Sequence, residues 1–307
     1  MLGNILTVSE QILILALLTL VGFGCGRTNV ITDEAGTDIA RFHLTVIAPC
    51  VMISCYQQPY DAEMLQQLLL CFVMGLALYA VGIVVSKLTI RDADAGKVKV
   101  LRCSVIFSNC GMLCIALEQA LYGGKGAFLG SAFVAAFNIV FWTYGVSLMG
   151  HREDASLGKM LLTPCVIGTI IGLALFMLRM SLPTVVRTPI DALATMNTPL
   201  CMLIIGQRLS RVRLGKVLRD GKAWLAAGER LVVVPLLTLL ALKLLHLNGM
   251  PATICVIAAS APVAATATML AIRYGQHERL SAAIVSMQTI LSAVTMPLII
   301  ALAQSVL

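Results

Sequence analysis

The chain has 307 residues, 59% of them hydrophobic and only 12% charged, with a formal net charge of +7. A soluble domain carries roughly a quarter of its residues charged, so this composition excludes a water-facing globule and leaves an integral membrane protein. In a soluble protein the basic excess would suggest nucleic acid as a partner. Here it reads as the loop charge that orients membrane helices, and no nucleic-acid partner is expected.

A helix crossing the hydrocarbon core needs about 20 mainly apolar residues. On that scale ten spans are predicted, near 8–25, 36–56, 64–87, 98–121, 125–149, 158–179, 188–207, 223–246, 250–272 and 280–305. No Lys or Arg precedes Arg27, so the first apolar run is read as a span and not as a cleavable signal peptide. The second span holds His43 and the run Ile47-Ala48-Pro49-Cys50-Val51-Met52. The fourth holds Ser108-Asn109-Cys110-Gly111 and, toward its outer end, Glu118. Gly123, Gly124 and Gly126 flank Lys125 and predict a tight hairpin into the fifth span, which carries Asn138. The seventh span carries Asn197-Thr198-Pro199-Leu200-Cys201-Met202, with Asp191 near its outer end. The polar stretch 207–222 follows as a cytoplasmic loop, suited to anionic lipid headgroups or simply to fixing topology. The ninth span runs through Ala259-Ser260-Ala261-Pro262-Val263-Ala264-Ala265-Thr266-Ala267-Thr268, and in the tenth Gln288, Thr289 and Ser292 share one helical face.

Of the 22 Lys and Arg residues, Lys125, Arg179, Arg187 and Lys243 fall on one side of this topology. The others, including Arg152, Lys159, Arg213, Lys216 and Arg230, are assigned to the opposite side. The positive-inside rule places the crowded side in the cytoplasm and both termini outside the cell membrane.

The ten cysteines lie mostly inside apolar runs and form no Cys-x-x-Cys pair. Neither His-Glu-x-x-His nor Gly-x-Ser-x-Gly occurs. Zinc, redox and hydrolytic readings therefore lack support, and no catalytic residue, metal or cofactor is expected.

Ten spans divide into five-span halves, 1–150 and 151–307, and an odd repeat must insert its second copy upside down. Inverted repeats are a common way to build secondary transporters, with the site where broken helices meet at mid-membrane. Proline falls at matching places in the second and seventh spans, and small polar centres fall in the fourth and ninth. Each feature alone reads as a kink or a close packing. In pairs they point to opened helices that offer backbone groups to a solute, because proline frees a carbonyl in the turn before it. Asn109 is then either a solute ligand or a helix-to-helix bond, and Asn138 and Asn197 pose the same choice. His43 is a proton relay or a packed histidine, and Glu118 is a buried functional group or one that reaches the interface.

The stretch Ser108-Asn109-Cys110-Gly111-Met112-Leu113-Cys114-Ile115-Ala116-Leu117, closing with Ala120-Leu121-Tyr122-Gly123, resembles the fourth-helix signature of the auxin efflux carrier family. That family groups plant PIN proteins with bacterial organic-acid permeases. Similar matches are Asn138 with Trp142-x-x-Gly145, Pro199-Leu200 with Ile205-Gly206, Ala261-Pro262 with Arg273-Tyr274-Gly275, and Thr295-Met296-Pro297-Leu298. The resemblance implies an all-α fold of two inverted five-helix repeats. The first, second, sixth and seventh helices would form a scaffold and homodimer face, and the others a mobile transport domain. The fourth and ninth helices would be broken and crossed, with substrate beside the crossing. It further implies an elevator-type carrier of a small organic anion such as a carboxylate; a membrane receptor binding such an acid without transport is the alternative. Substrate contacts are expected from Ser108, Asn109, Gly111, Asn138, Asn197, Ser260, Pro262, Thr266 and Gln288, and proton coupling from His43 and Glu118. Where the family has Gly and then Pro, this chain has Cys114 and Ala116. Its fourth-helix break should then rest on Gly111 and small neighbours, shallower or shifted.

Overall fold

A computed structural model of the chain describes residues 2–150, 157–211, 215 and 217–307. Arg152, Arg213, Lys216 and the side chain of Lys159 lie outside the described residues, as does part of the predicted loop 207–222. Regular structure among the described residues is helical, with no strand and one isolated β-bridge. Among the described residues, six helices are long and apolar enough to cross a membrane: Asp33–Cys55, Ala62–Thr89, Cys110–Met149, Thr184–Ser210, Gly221–Leu244 and Glu278–Val306. Shorter apolar helices cover Leu13–Arg27, Pro164–Met177 and Gly249–Ser260. The count falls below the ten expected because several predicted spans are interrupted, because Cys110–Met149 takes in parts of two predicted spans across the Gly123 turn, and because Leu13–Arg27 is only part of the longer helix Leu2–Arg27.

The helices relevant to the site are α1 (Leu2–Arg27), α2 (Asp33–Phe42), α3 (Ala48–Cys55), α4 (Ala62–Thr89), α5 (Ala95–Ile106) and α6 (Ile115–Val140). Next come α7 (Val146–Met149), α8 (Leu157–Leu161), α9 (Pro164–Met177), α10 (Thr184–Thr195) and α11 (Asn197–Ser210). The chain ends with α12 (Gly221–Gly228), α13 (Val234–Leu244), α14 (Gly249–Ser260), α15 (Thr266–Arg273) and α16 (Glu278–Val306).

Proline shapes three of the interruptions. Pro49 and Pro235 each lack the amide that an α-helix needs one turn back. The turn before each one widens to i→i+5 bonding, over His43–Ile47 and over Glu229–Val233. A widened turn rotates the side chains it carries, among them His43 and Arg230. Pro262 acts differently. The residue before a proline is driven out of helical geometry, and Ala261 is extended at φ −68°, ψ 147°, which ends α14.

Backbone contacts divide the chain into two compact units. The first comprises Met1–Leu70, Gly111–Ala135 and Gly158–Arg211. The second comprises Cys71–Cys110, Ala136–Leu157 and Val212–Leu307.

Glycine sets the close approaches in the first unit. A Cβ at Gly22 would strike the backbone of Leu203, and one at Gly206 would strike that of Thr19, so α1 and α11 pack backbone to backbone. Tyr56, Phe128 and Phe176 form an edge-on aromatic cluster beside α9, and Ser131 donates to the Tyr56 hydroxyl at 2.8 Å. The predicted hairpin is present: Gly123 takes φ 62°, ψ −146° and divides α6 into two arms. Gly126 returns against the backbone carbonyl of Glu118, and Gly130 against its carboxyl.

In the second unit, Phe107 is fully buried against Phe137, Phe141 and Tyr79, with ring centroids 5.8, 5.3 and 6.3 Å away. This aromatic packing anchors the end of α5. At the start of α5 the Asp94 side chain accepts from the Lys97 amide, and Asp220 likewise caps α12 by accepting from Lys222. Lys97 pairs with Asp220 at 2.6 Å, and Lys222 with Asp92 at 2.9 Å, so the two helix starts are clasped together.

The clasp makes a pH prediction. The Lys222 hydrogen bond holds Asp92 down to about 2, and the Lys97 amide lowers Asp94. A depressed carboxylate contributes stability above its unfolded value and loses it as pH falls through the folded value. The clasp should therefore be complete at neutral pH and lost only as pH drops toward about 2. Because these groups are part-exposed at the surface, D92N should lower thermal stability slightly, and high salt should weaken the difference. Unfolding curves of both proteins at two salt concentrations check this.

Candidate functional site

The second unit holds a crossing of two broken helices. α5 stops at Phe107, which is extended at φ −94°, ψ 102°, and α14 stops at Ala261. The two extended segments pair antiparallel, with Ser108 opposite Val263. The Asn109 amide donates to the Pro262 carbonyl at 2.8 Å, and the Ala264 amide donates to the Phe107 carbonyl at 2.9 Å. Past the pairing the chain becomes helical again, through the widened turn Cys110–Cys114 on one side and α15 on the other.

The fourth-helix break is thus real but shifted. Gly111 was expected to carry it, yet Gly111 lies in the turn after the break, with open space where a Cβ would stand. The break falls on Phe107, Ser108 and Asn109, where the local sequence has neither Gly nor Pro. Its extended backbone is held by the strand-like partner at 262–264, a tertiary cause. Ala116, in place of proline, sits inside α6.

A second correction concerns Arg230. The charge count treats it as a loop charge, but it is fully buried in the widened turn ahead of Pro235. Its guanidinium reaches the ends of both broken helices. Nε donates to the Ala261 carbonyl at 2.8 Å, and Nη2 to Ala258 and Ala259 at 3.0 and 2.9 Å. Nη1 donates to Val105 and Ile106 at 3.1 and 3.4 Å. A helix C-terminus leaves its last carbonyls unpaired and carries roughly half a negative charge. Arg230 meets two such ends at once, with the fork geometry that only arginine supplies.

Gln288 braces the same place from α16. Its carbonyl oxygen accepts from the Val263 amide at 3.0 Å, and its amide donates to the Ser104 carbonyl at 3.3 Å. Ser108 shares a hydrogen bond with Tyr79 at 3.2 Å, and the Ser260 hydroxyl returns to the Ile257 carbonyl of its own helix. Two polar groups are left over. The half-exposed Asn109 carboxamide makes no hydrogen bond among the described residues, and the buried Thr266 hydroxyl at the start of α15 has no partner either. Ser108, Asn109, Ser260, Pro262, Thr266 and Gln288 therefore all belong to the crossing or its immediate flanks. Asn138 lies half-buried on the second arm of α6 in the same unit.

The remaining candidates fall in the first unit. His43 and Asn197 are buried and hydrogen-bonded to each other, Nε2 to Oδ1 at 2.9 Å, with the Cys201 sulfur 3.1 Å from the same ring nitrogen. Glu118 is buried on the first arm of α6. Asp191 does keep to a polar setting, where it pairs with Arg187 and accepts from Ser54.

An all-helical, multi-pass membrane protein organised around crossed helix breaks belongs among the transporters. The family model described as "Membrane transport protein" matches residues 7–158 and 154–300. The chain belongs to this family, that of the auxin efflux carriers. A relative from Methanothermobacter thermautotrophicus, an "Uncharacterized transporter", is 24% identical over 298 residues, covering 94% of this chain and 96% of its own. The family is a class of membrane transporters and not of enzymes.

Proposed function

We propose that the protein is an elevator-type secondary carrier of a small organic anion, a carboxylate in the first instance, bound beside the helix crossing. The observation that carries this reading is the division of polar groups there. Arg230 occupies the two carbonyl-rich helix ends, while the amide-rich starts at Cys110 and Thr266 keep the unbonded Asn109 carboxamide and Thr266 hydroxyl beside them. With the negative ends met by a fixed cation, the local field favours an anion. The organic character of the solute follows the family's organic-acid permease branch.

In this reading the chain crosses the membrane ten times as two inverted repeats, 1–150 and 151–307. The two arms of α6 belong to separate crossings, and the interrupted fourth and ninth helices each count once. Both termini face outside the cell membrane, the basic side faces cytoplasmic lipid, and the protein works as a homodimer.

Uptake into proteoliposomes of labelled mono- and dicarboxylates, with neutral amide and cationic amine analogues as controls, tests the reading under imposed voltage. Saturable flux of at least one carboxylate, with none for the controls, is expected. Equal flux of the neutral analogues would remove the anion assignment. Carboxylate binding without flux under every gradient would replace the carrier by a receptor.

A further inference from the structure

We propose that Glu118 is a proton-binding site, protonated in the conformation described and deprotonated when its hairpin opens to water. The place of this step in a transport cycle rests on the carrier reading above; the site itself does not.

Glu118 lies on the first arm of α6 and is 1% exposed. Neither carboxyl oxygen has a hydrogen-bond partner among the described residues. The pocket that holds it is made by glycine. Gly123 turns the chain back at φ 62°, and a Cβ on either Gly126 or Gly130 would collide with Glu118. Among the polar groups around this hairpin, Gln58 lies against Gly124, and the Gln119 carboxamide oxygen is buried with no hydrogen-bond partner among the described residues. Lys125 is exposed at the turn and Tyr122 is half-exposed. Tyr56, just after α3, is bonded to Ser131, and Thr198 of α11 donates to the Ala116 carbonyl at 3.4 Å. None of them bonds to the Glu118 carboxyl.

A bare carboxylate in such a place would be an uncompensated charge in apolar surroundings. A proton removes the charge and lets the group stay buried. A side chain that merely filled the space would do so at less cost as Leu or Met, so what glutamate adds is a reversible charge. When the hairpin opens, the carboxyl O–H bond breaks, the proton passes to water and the carboxylate is left solvated. Reburial requires the reverse. One proton is thereby bound and released without any further reactant. In a carrier of anions, that proton offsets the charge of the solute.

The test has two readouts. Infrared difference spectroscopy of the bilayer-reconstituted protein should show the carbonyl stretch of a carboxylic acid without a hydrogen-bond partner. The band should move on ¹³C-glutamate labelling and vanish in E118Q. In proteoliposomes enclosing a pH dye, addition of the carboxylate panel should move protons in the wild type and not in E118Q. If E118Q fails to fold, E118M serves, since an apolar side chain of similar size suits an unbonded site. A wild type lacking the band, or a band that survives in E118Q, would overturn the proposal. Proton flux equal in variant and wild type would overturn the coupling. The band behaving as expected while the wild type moves no carboxylate would support the proton site and count against the carrier reading instead.

Discussion

Replacing Arg230 by alanine is expected to destabilise the protein more than any other single polar substitution in the second unit. The change strips hydrogen-bond donors from five carbonyls at the ends of two helices, all of them buried. Removing one partner from a buried charged network costs about 3–5 kcal/mol. That is a large share of the roughly 5–15 kcal/mol that holds a typical fold, and it corresponds to a fall in melting temperature on the order of 10 °C. R230K keeps the charge but not the planar fork, so it should recover part of the stability and little of the transport. Thermal unfolding of the three purified proteins in one detergent ranks them. If R230A melted with the wild type, the clamp would be ruled out as the element that holds the crossing.

Asn109 should behave in the opposite way. Its carboxamide makes no hydrogen bond among the described residues, while its backbone amide, which alanine retains, makes the contact to Pro262. N109A should therefore leave the melting temperature close to wild type and reduce carboxylate flux. One hydrogen bond to a charged solute contributes about 1.5–3 kcal/mol, which is roughly a tenfold to hundredfold loss. T266A should follow the same pattern. Initial rates from the proteoliposome panel, set beside unfolding curves, separate a lost ligand from a lost fold. A destabilised N109A with proportionally lower flux would make Asn109 a packing residue.

These two residues also show what the sequence reveals. Asn109 is legible because a carboxamide in the middle of an apolar run is costly unless it is used. The break at Ala261 is legible too, since Pro262 dictates it through its own ring. The hairpin follows from glycines at a point where the chain needs a positive φ. The break at Phe107 has no such signature. Phe107, Ser108 and Asn109 would continue a helix in isolation, and only their pairing with 262–264 and the aromatic packing of Phe107 hold them extended.

The burial of Arg230 escapes the charge count for a general reason. Hydropathy and the positive-inside rule treat every basic residue as a loop marker, so a cation within a predicted span is drawn to the nearest interface. The sequence does carry a signal of burial: Arg230 falls inside the predicted 223–246 span, and Pro235 follows closely. An ionisable residue in that position is a functional candidate by default. Its partners are backbone carbonyls, which no residue pattern displays. The helical face of Gln288 is legible in the sequence, but its role as a brace between Val263 and Ser104 depends on two segments far away in the chain.

The central claim is that the crossing binds the transported anion. It is tested most directly by a structure determined with a saturating amount of a carboxylate that the reconstituted protein transports. The account predicts carboxylate density within hydrogen-bonding reach of the Asn109 carboxamide and the Thr266 hydroxyl, with Arg230 still bound to the helix-end carbonyls. Density for the carboxylate elsewhere, with Asn109 and Thr266 facing only water or protein, would contradict it.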